Sequence, residues 1–190
     1  MREIHSLKDI TVRELIELSK VKDISTMEGI NKVMTIFYGK SDNLSLDGYF
    51  DKFAELSKVI FEQPALEPID SFEFDGVTYK AKGVDEIQTK EFIDFDNLSR
   101  ENPVENLPVL LAIVFSDGNE EGSYVKRTQE RAEKFNRLDA LTAQSAMLFI
   151  QQLFVAFASS MVDCLPKGVS KKKKAELKKM LEGFQGGAGK

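Results

Sequence analysis

Phe72-Glu73-Phe74-Asp75-Gly76-Val77-Thr78-Tyr79 is the stretch that gives the clearest strand pattern in the chain. Phe72 and Phe74 alternate with polar neighbours, as do Val77 and Tyr79. Asp75-Gly76 between them tolerates the positive φ angles of a tight two-residue turn. The stretch predicts a β-hairpin. On both sides of it apolar residues recur at helical spacing, so the expected fold class is mainly α, formally α+β, with bundle-like helical units joined by that hairpin.

On the amino-terminal side, Val12, Leu15, Ile16 and Leu18 predict a helix over 11–20. Thr11 and Glu14 form a capping box, which satisfies amides left unbonded at a helix start. A second helix is expected over 27–38, stopped by Gly39, with Ile30, Val33, Met34 and Phe37 on one face. A third is expected over 46–62, with Phe50, Phe53, Leu56 and Ile60 as its buried stripe. Pro64 and Pro68 close this region.

On the carboxyl-terminal side a helix resumes at about Thr89. The run from Val109 to Phe115 has a length that suits strand or helix, and Pro108 at a first turn favours helix. A loop rich in Gly, Asp and Glu covers 116–123, and a charged helix follows over 124–138. Residues 140–164 predict a long helix with Leu148, Phe149, Ile150, Leu153, Phe154, Val155, Phe157 and Met161 round most of its circumference. A helix that is apolar on every side is expected to be buried on every side.

Asp9-Ile-Thr-Val-Arg-Glu-Leu-Ile-Glu-Leu18 can be laid on Glu86-Ile-Gln-Thr-Lys-Glu-Phe-Ile-Asp-Phe95 without a gap. The match predicts two pseudo-repeats: an amino-terminal helical unit over 1–66 and a hairpin plus helical unit over 67–166. The alternative is a chance likeness between two amphipathic helices. Residues 167–190 read as a flexible basic tail.

The 190 residues are 42% hydrophobic and 30% charged, too apolar for general disorder. The longest apolar stretch is interrupted by Gln151 and Gln152 and is short for a bilayer span, so no membrane segment is expected. Cys164 is the only cysteine, which excludes an internal disulfide and a cysteine-based zinc site. His5 is the only histidine, and so near the terminus it reads as solvated. The net charge of −5 is uneven. From Pro166 onward eight lysines face two glutamates, about +6, leaving about −11 on the body.

No constellation assembles a catalytic site. Glu91, Asp94 and Asp96 form an acidic cluster that reads as a solvated helix face, because paired carboxylates matter only when burial separates their pKa values. Ser41-Asp42-Asn43 and the loop from Ser116 to Glu121 lack the ligand and glycine spacing of a calcium loop. No metal or cofactor is expected, and the chain reads as a binder, not an enzyme.

The tail carries the strongest binding signal. Lys171, Lys172, Lys173 and Lys174 precede Leu177, Met180, Leu181 and Phe184, which fall on one helical face. Such a segment suits docking into a partner's groove, with the lysines steering it to an acidic surface. The alternative is a solubilising tail that frays. Nucleic acid is the weaker partner: the tail has no arginine and the acidic body repels phosphate. Phe154 and Phe157 of the apolar helix complete the candidate protein-binding residues.

These residues resemble a known pattern. Residues 10–18, the Phe-Tyr-Gly end at 37–39 and the hairpin at 74–79 come in order. They are followed by Lys90-Glu-Phe-Ile-Asp-Phe95, Asn106-Leu-Pro-Val-Leu-Leu-Ala-Ile113 and the phenylalanine-rich helix at 149–157. The order resembles the baseplate hub or tail assembly chaperones of contractile-tailed phages. Family members commonly carry an arginine-proline pair after the Leu-Ala-Ile segment, where this chain has Ser116-Asp117. The resemblance implies a non-catalytic assembly chaperone or scaffold binding a tail, hub or head protein in the host cytoplasm. The alternative is a structural virion component, a ring, connector or packaged protein, with the apolar helix as a subunit interface and self-association among its contacts.

Overall fold

The computed structural model describes residues 2–39, 44–62, 65–119 and 121–163, with side chains as far as residue 156. Within them the chain is mainly helical with a small antiparallel sheet, α+β. A 3-10 turn, Leu7–Asp9, leads into α1 (Val12–Ser19), α2 (Met27–Tyr38) and α3 (Leu46–Phe61). Strands β1 (Ser71–Phe74) and β2 (Val77–Ala81) form the hairpin. Helices α4 (Thr89–Glu101) and α5 (Leu107–Val114), the short strand β3 (Phe115–Ser116), and helices α6 (Tyr124–Phe135) and α7 (Ala140–Asp163) complete the order.

The hairpin turn has φ of 51° at Asp75 and 73° at Gly76, the paired positive angles of a type I′ turn. This fixes the register: Phe72 faces Tyr79 across the two strands. Both rings therefore lie on one face, stacked with centroids 5.5 Å apart. Phe115 of β3 and Phe135 of α6 close round them, at 5.0 Å from Phe72 and 4.9 Å from Tyr79. β3 adds a third strand on the far side of β2, Lys80 opposite Ser116.

α5 is the centre of this packing. Its residues from Leu107 to Val114, Val109 apart, are buried, and α4, α6 and α7 pack around it. Pro108 sits in its first turn, where a missing N–H costs nothing. Val12 and Ile16 of α1 belong to the same core.

A second core gathers Ile4, Leu7, Ile10, Val33, Phe37 and Leu56, with Ala140 of α7 buried among them and Leu141 against it. α1 thus serves both cores. Its start is tied to the turn between α6 and α7: Val12 N–H donates to the Leu138 carbonyl at 2.9 Å, and Ala140 N–H to that of Ile10 at 2.7 Å. On α3, Leu56 is buried and Phe53 and Ile60 half-buried, but Phe50, expected on the buried stripe, is 39% exposed. It lies edge-on to Tyr49 instead.

Laying Asp9 on Glu86 carries Val12, the first residue of α1, onto Thr89, the first residue of α4. Both helices use the same closing device. Glu14 accepts from the Thr11 N–H at 2.7 Å, and Glu91 from the Gln88 N–H at 2.9 Å. Their surroundings differ. Glu14 pairs with Arg2 near the surface, whereas Glu91 is 1% exposed.

Candidate functional site

α7 does not match the expectation of burial on every side. Ala143, Ala146 and Ile150 are buried, and the two alanines let the helix lie close against the core. Leu148, Phe149, Leu153, Phe154 and Val155 are only half-buried, and Gln151, Gln152 and Ala156 are exposed. Leu148, Leu153 and Val155 belong to neither core. The physical reason is geometric. The body meets one stripe of α7 closely and covers its flanks, Phe149 and Phe154 among them, only in part.

Phe154 of α7 packs against the first core. Its ring stacks on Phe95 of α4, with centroids 4.4 Å apart and planes 10° from parallel, and lies 5.6 Å from Phe92. Phe92 is 37% exposed, so α4 carries apolar surface next to the aromatic edge, whereas Ile93, 51% exposed, stands about 160° round the helix from Phe95. Of the other candidate residues, Phe157 falls within the helical span, but its side chain is outside the described residues. Lys171, Lys172, Lys173, Lys174, Leu177, Met180, Leu181 and Phe184 also lie outside the described residues.

A second feature is a polar cleft of about 780 Å³ between β2, the start of α4, the loop after β3, and α6. Lys80, Lys82, Glu86, Asp117 and Arg127 bring charge to its walls. Much of that charge is engaged in holding loops. Lys82 Nζ donates to Glu91 Oε1 at 2.7 Å, and the Gly83 N–H to Glu86 at 2.6 Å. The loop from Asp117 to Asn119 wraps round the buried Arg131 of α6. The Arg131 guanidinium donates to Asp117 Oδ1 at 2.8 Å, the Asn119 carbonyl at 2.7 Å and Ser116 Oγ at 3.2 Å. Burial pushes the Asp117 carboxyl up, but the hydrogen bond and charge of Arg131 outweigh it, leaving the group below its ordinary value of 3.8.

The acidic cluster read from the sequence is split. Glu91 is buried on Lys82, a correction to the solvated face expected of it. Asp96 accepts from Arg100 at 2.9 Å, one turn on. Asp94 interacts with Tyr124, whose hydroxyl pKa burial raises and the Asp94 charge raises further. Neither Asp94 nor Asp96 lines the cleft. His5 is exposed, 3.1 Å from Glu3. Among the described residues no three His, Cys, Asp or Glu side chains gather as a metal site, and no helix is long and apolar enough to cross a membrane.

Sequence reasoning missed Lys82 and Arg131. Each stands in a polar stretch like any surface cation, and its carboxylate partner lies 9 and 14 residues away respectively. Compared with protein-family models, curated proteins and solved structures, the chain matches none.

Proposed function

We propose that the protein is a non-catalytic assembly chaperone or scaffold that binds another protein through the apolar face shared by α4 and α7. The observation that carries the reading is the aromatic edge where Phe154 stacks on Phe95 beside the partly exposed Phe92. Apolar surface of this kind, next to a long helix only half-covered by its own body, suits an interaction site. The mechanism is capping: the face covers apolar surface on an unassembled subunit until the subunit's proper partner displaces it. The motif order resembles that of phage tail and baseplate chaperones, so the client we propose is a tail, hub or head protein in the host cytoplasm.

The test is co-expression with candidate tail and hub proteins, reading the soluble fraction of each. A client should be more soluble with the wild-type chain, and Phe92→Lys, at a partly exposed position on that edge, should remove the gain, with a thermal melt confirming that the variant folds. No client gaining solubility, or full rescue by a folded Phe92→Lys, would refute the reading. Mass spectrometry of infected-cell lysate against purified particles separates a transient chaperone, abundant in lysate alone, from a structural component held at fixed copy number.

A further inference from the structure

β1 is an edge strand, with β2 on one side and no strand on the other among the described residues. The bonds of its neighbour fix which way its own backbone points. The Ala81 N–H donates to the Asp70 carbonyl at 2.8 Å, and the Lys82 N–H turns the other way, to the Val114 carbonyl. Backbone groups alternate sides along an antiparallel strand, so Phe72 and Phe74 exchange their bonds with Tyr79 and Val77 inside the hairpin. Ser71 and Glu73 then point their N–H and carbonyl groups away from β2, where no described backbone group bonds to them. Both residues are exposed. Their donors and acceptors stand open along a strand edge, a template for one more strand.

We infer that this edge takes up an extended, lysine- or arginine-bearing segment of a partner protein as a further strand. Charge selects the occupant. From Glu67 to Tyr79 the chain carries Glu67, Asp70, Glu73 and Asp75 and no lysine or arginine. All four carboxylates are exposed, and only Asp75 has a cation beside it, Arg137 at 2.6 Å. Two β1 edges side by side would set carboxylate against carboxylate, so the strand repels its own copy and any acidic segment. A basic segment turns the same guard into an attraction. Side-chain alternation adds a second condition. Glu73 lies on the outer face of the hairpin, while Phe74, half-buried, lies on the face that carries Phe72 and Tyr79. Lys80 stands on β2 opposite Ser71, so the incoming cation belongs at the Glu73 end. An apolar residue next to it in the segment would cover the rest of the Phe74 ring. With four residues in β1 the complex is expected to be weak, with a Kd of about 10–1,000 µM. The edge shares no residue with the face of α4 and α7, so the inference stands apart from the assembly reading.

The experiment is an NMR titration of the full, isotope-labelled chain at low salt with a short capped peptide that alternates lysine and valine. The Ser71 and Glu73 amides should shift, and their hydrogen exchange should slow at least about fivefold at saturation. A peptide alternating glutamate and valine should do neither. Glu73→Lys reverses the charge in the middle of the edge and should weaken binding at least about tenfold. Ser71→Pro removes an outward donor and no bond to β2, so it should weaken binding with the charge unchanged. Val125→Lys, at an exposed position on α6, should leave binding as it is. Thermal melts by circular dichroism identify the variants that fold, and either edge variant suffices for the test. No shift at Ser71 and Glu73, equal binding of the acidic peptide, or a folded Glu73→Lys or Ser71→Pro that binds like the wild type would overturn the inference. So would amides already protected in the chain alone. Protection lost on deleting residues 166–190 would give the edge to the chain's own tail, and protection that grows with protein concentration would give it to a second copy. Client solubilisation is read separately. Peptide binding without a rescued client refutes the assembly reading alone, and a rescued client without peptide binding refutes the strand addition alone.

Discussion

Replacing Lys82 by methionine tests whether the buried ion pair anchors the start of α4. Lys82 Nζ stands 2.7 Å from Glu91 Oε1, and the two side chains are 11% and 2% exposed. Without the lysine, Glu91 keeps the Gln88 N–H and loses its countercharge. Removing one partner of a buried pair costs about 3–5 kcal/mol, because the other charge stays out of water. That is a large share of the ~5–15 kcal/mol that holds a typical domain folded. With a urea slope of about 2–3 kcal/mol per molar for a chain of this size, the midpoint should fall by about 1–2.5 M. Adding Glu91→Gln should recover most of the loss. Glutamine can still reach back to the Gln88 N–H at the helix start, and it carries no charge to bury. The assay is urea unfolding followed by circular dichroism at pH 7 for the wild type, both single variants and the double. A Lys82→Met cost under about 1 kcal/mol, or a double variant no more stable than that single one, would refute the reasoning, since breaking a buried pair should cost several times more.

Three further outcomes follow from the packing. Phe135→Ala removes the ring that meets both Phe72 and Tyr79 and should cost about 3–5 kcal/mol in the same unfolding assay, while Val125→Ala on the same helix should stay within about 0.5 kcal/mol. Gly29→Ala should destabilise despite alanine's better helix propensity, because a Cβ there would lie 1.7 Å from the Asp23 carbonyl oxygen; the melting temperature should drop by at least about 2–4 °C. Asp117→Asn should show the sign of a lowered carboxyl pKa. The stability the wild type gains from this group is present above its unfolded pKa and lost as pH falls through the folded one. The gap between wild type and variant should therefore be full at pH 7 and close below about pH 4, and an equal gap at pH 7 and pH 3 would count against the Arg131 pairing.

The sequence made legible what local chemistry determines. Thr11 and Glu14 mark the start of α1 because the capping box is complete within four residues, and Asp75-Gly76 marks the hairpin because the turn needs those φ angles. β3 was not legible, since two residues have no periodicity and Phe115-Ser116 becomes a strand only when β2 lies beside it. The burial of α7 was misread for a related reason. An apolar circumference records that several faces avoid water, but not which face meets the chain's own body and which meets another molecule. Glu91 shows the same limit at the level of one side chain. Glu14 and Glu91 close the same device at matching positions, so their local energetics are alike. One remains near the surface beside Arg2, while the other is sealed against Lys82, the residue that follows β2. Whatever the origin of the two helix starts, only the second has acquired a tertiary charge partner in the interior. The double variant of Lys82 and Glu91 measures that acquired part, because the shared capping geometry is preserved in it.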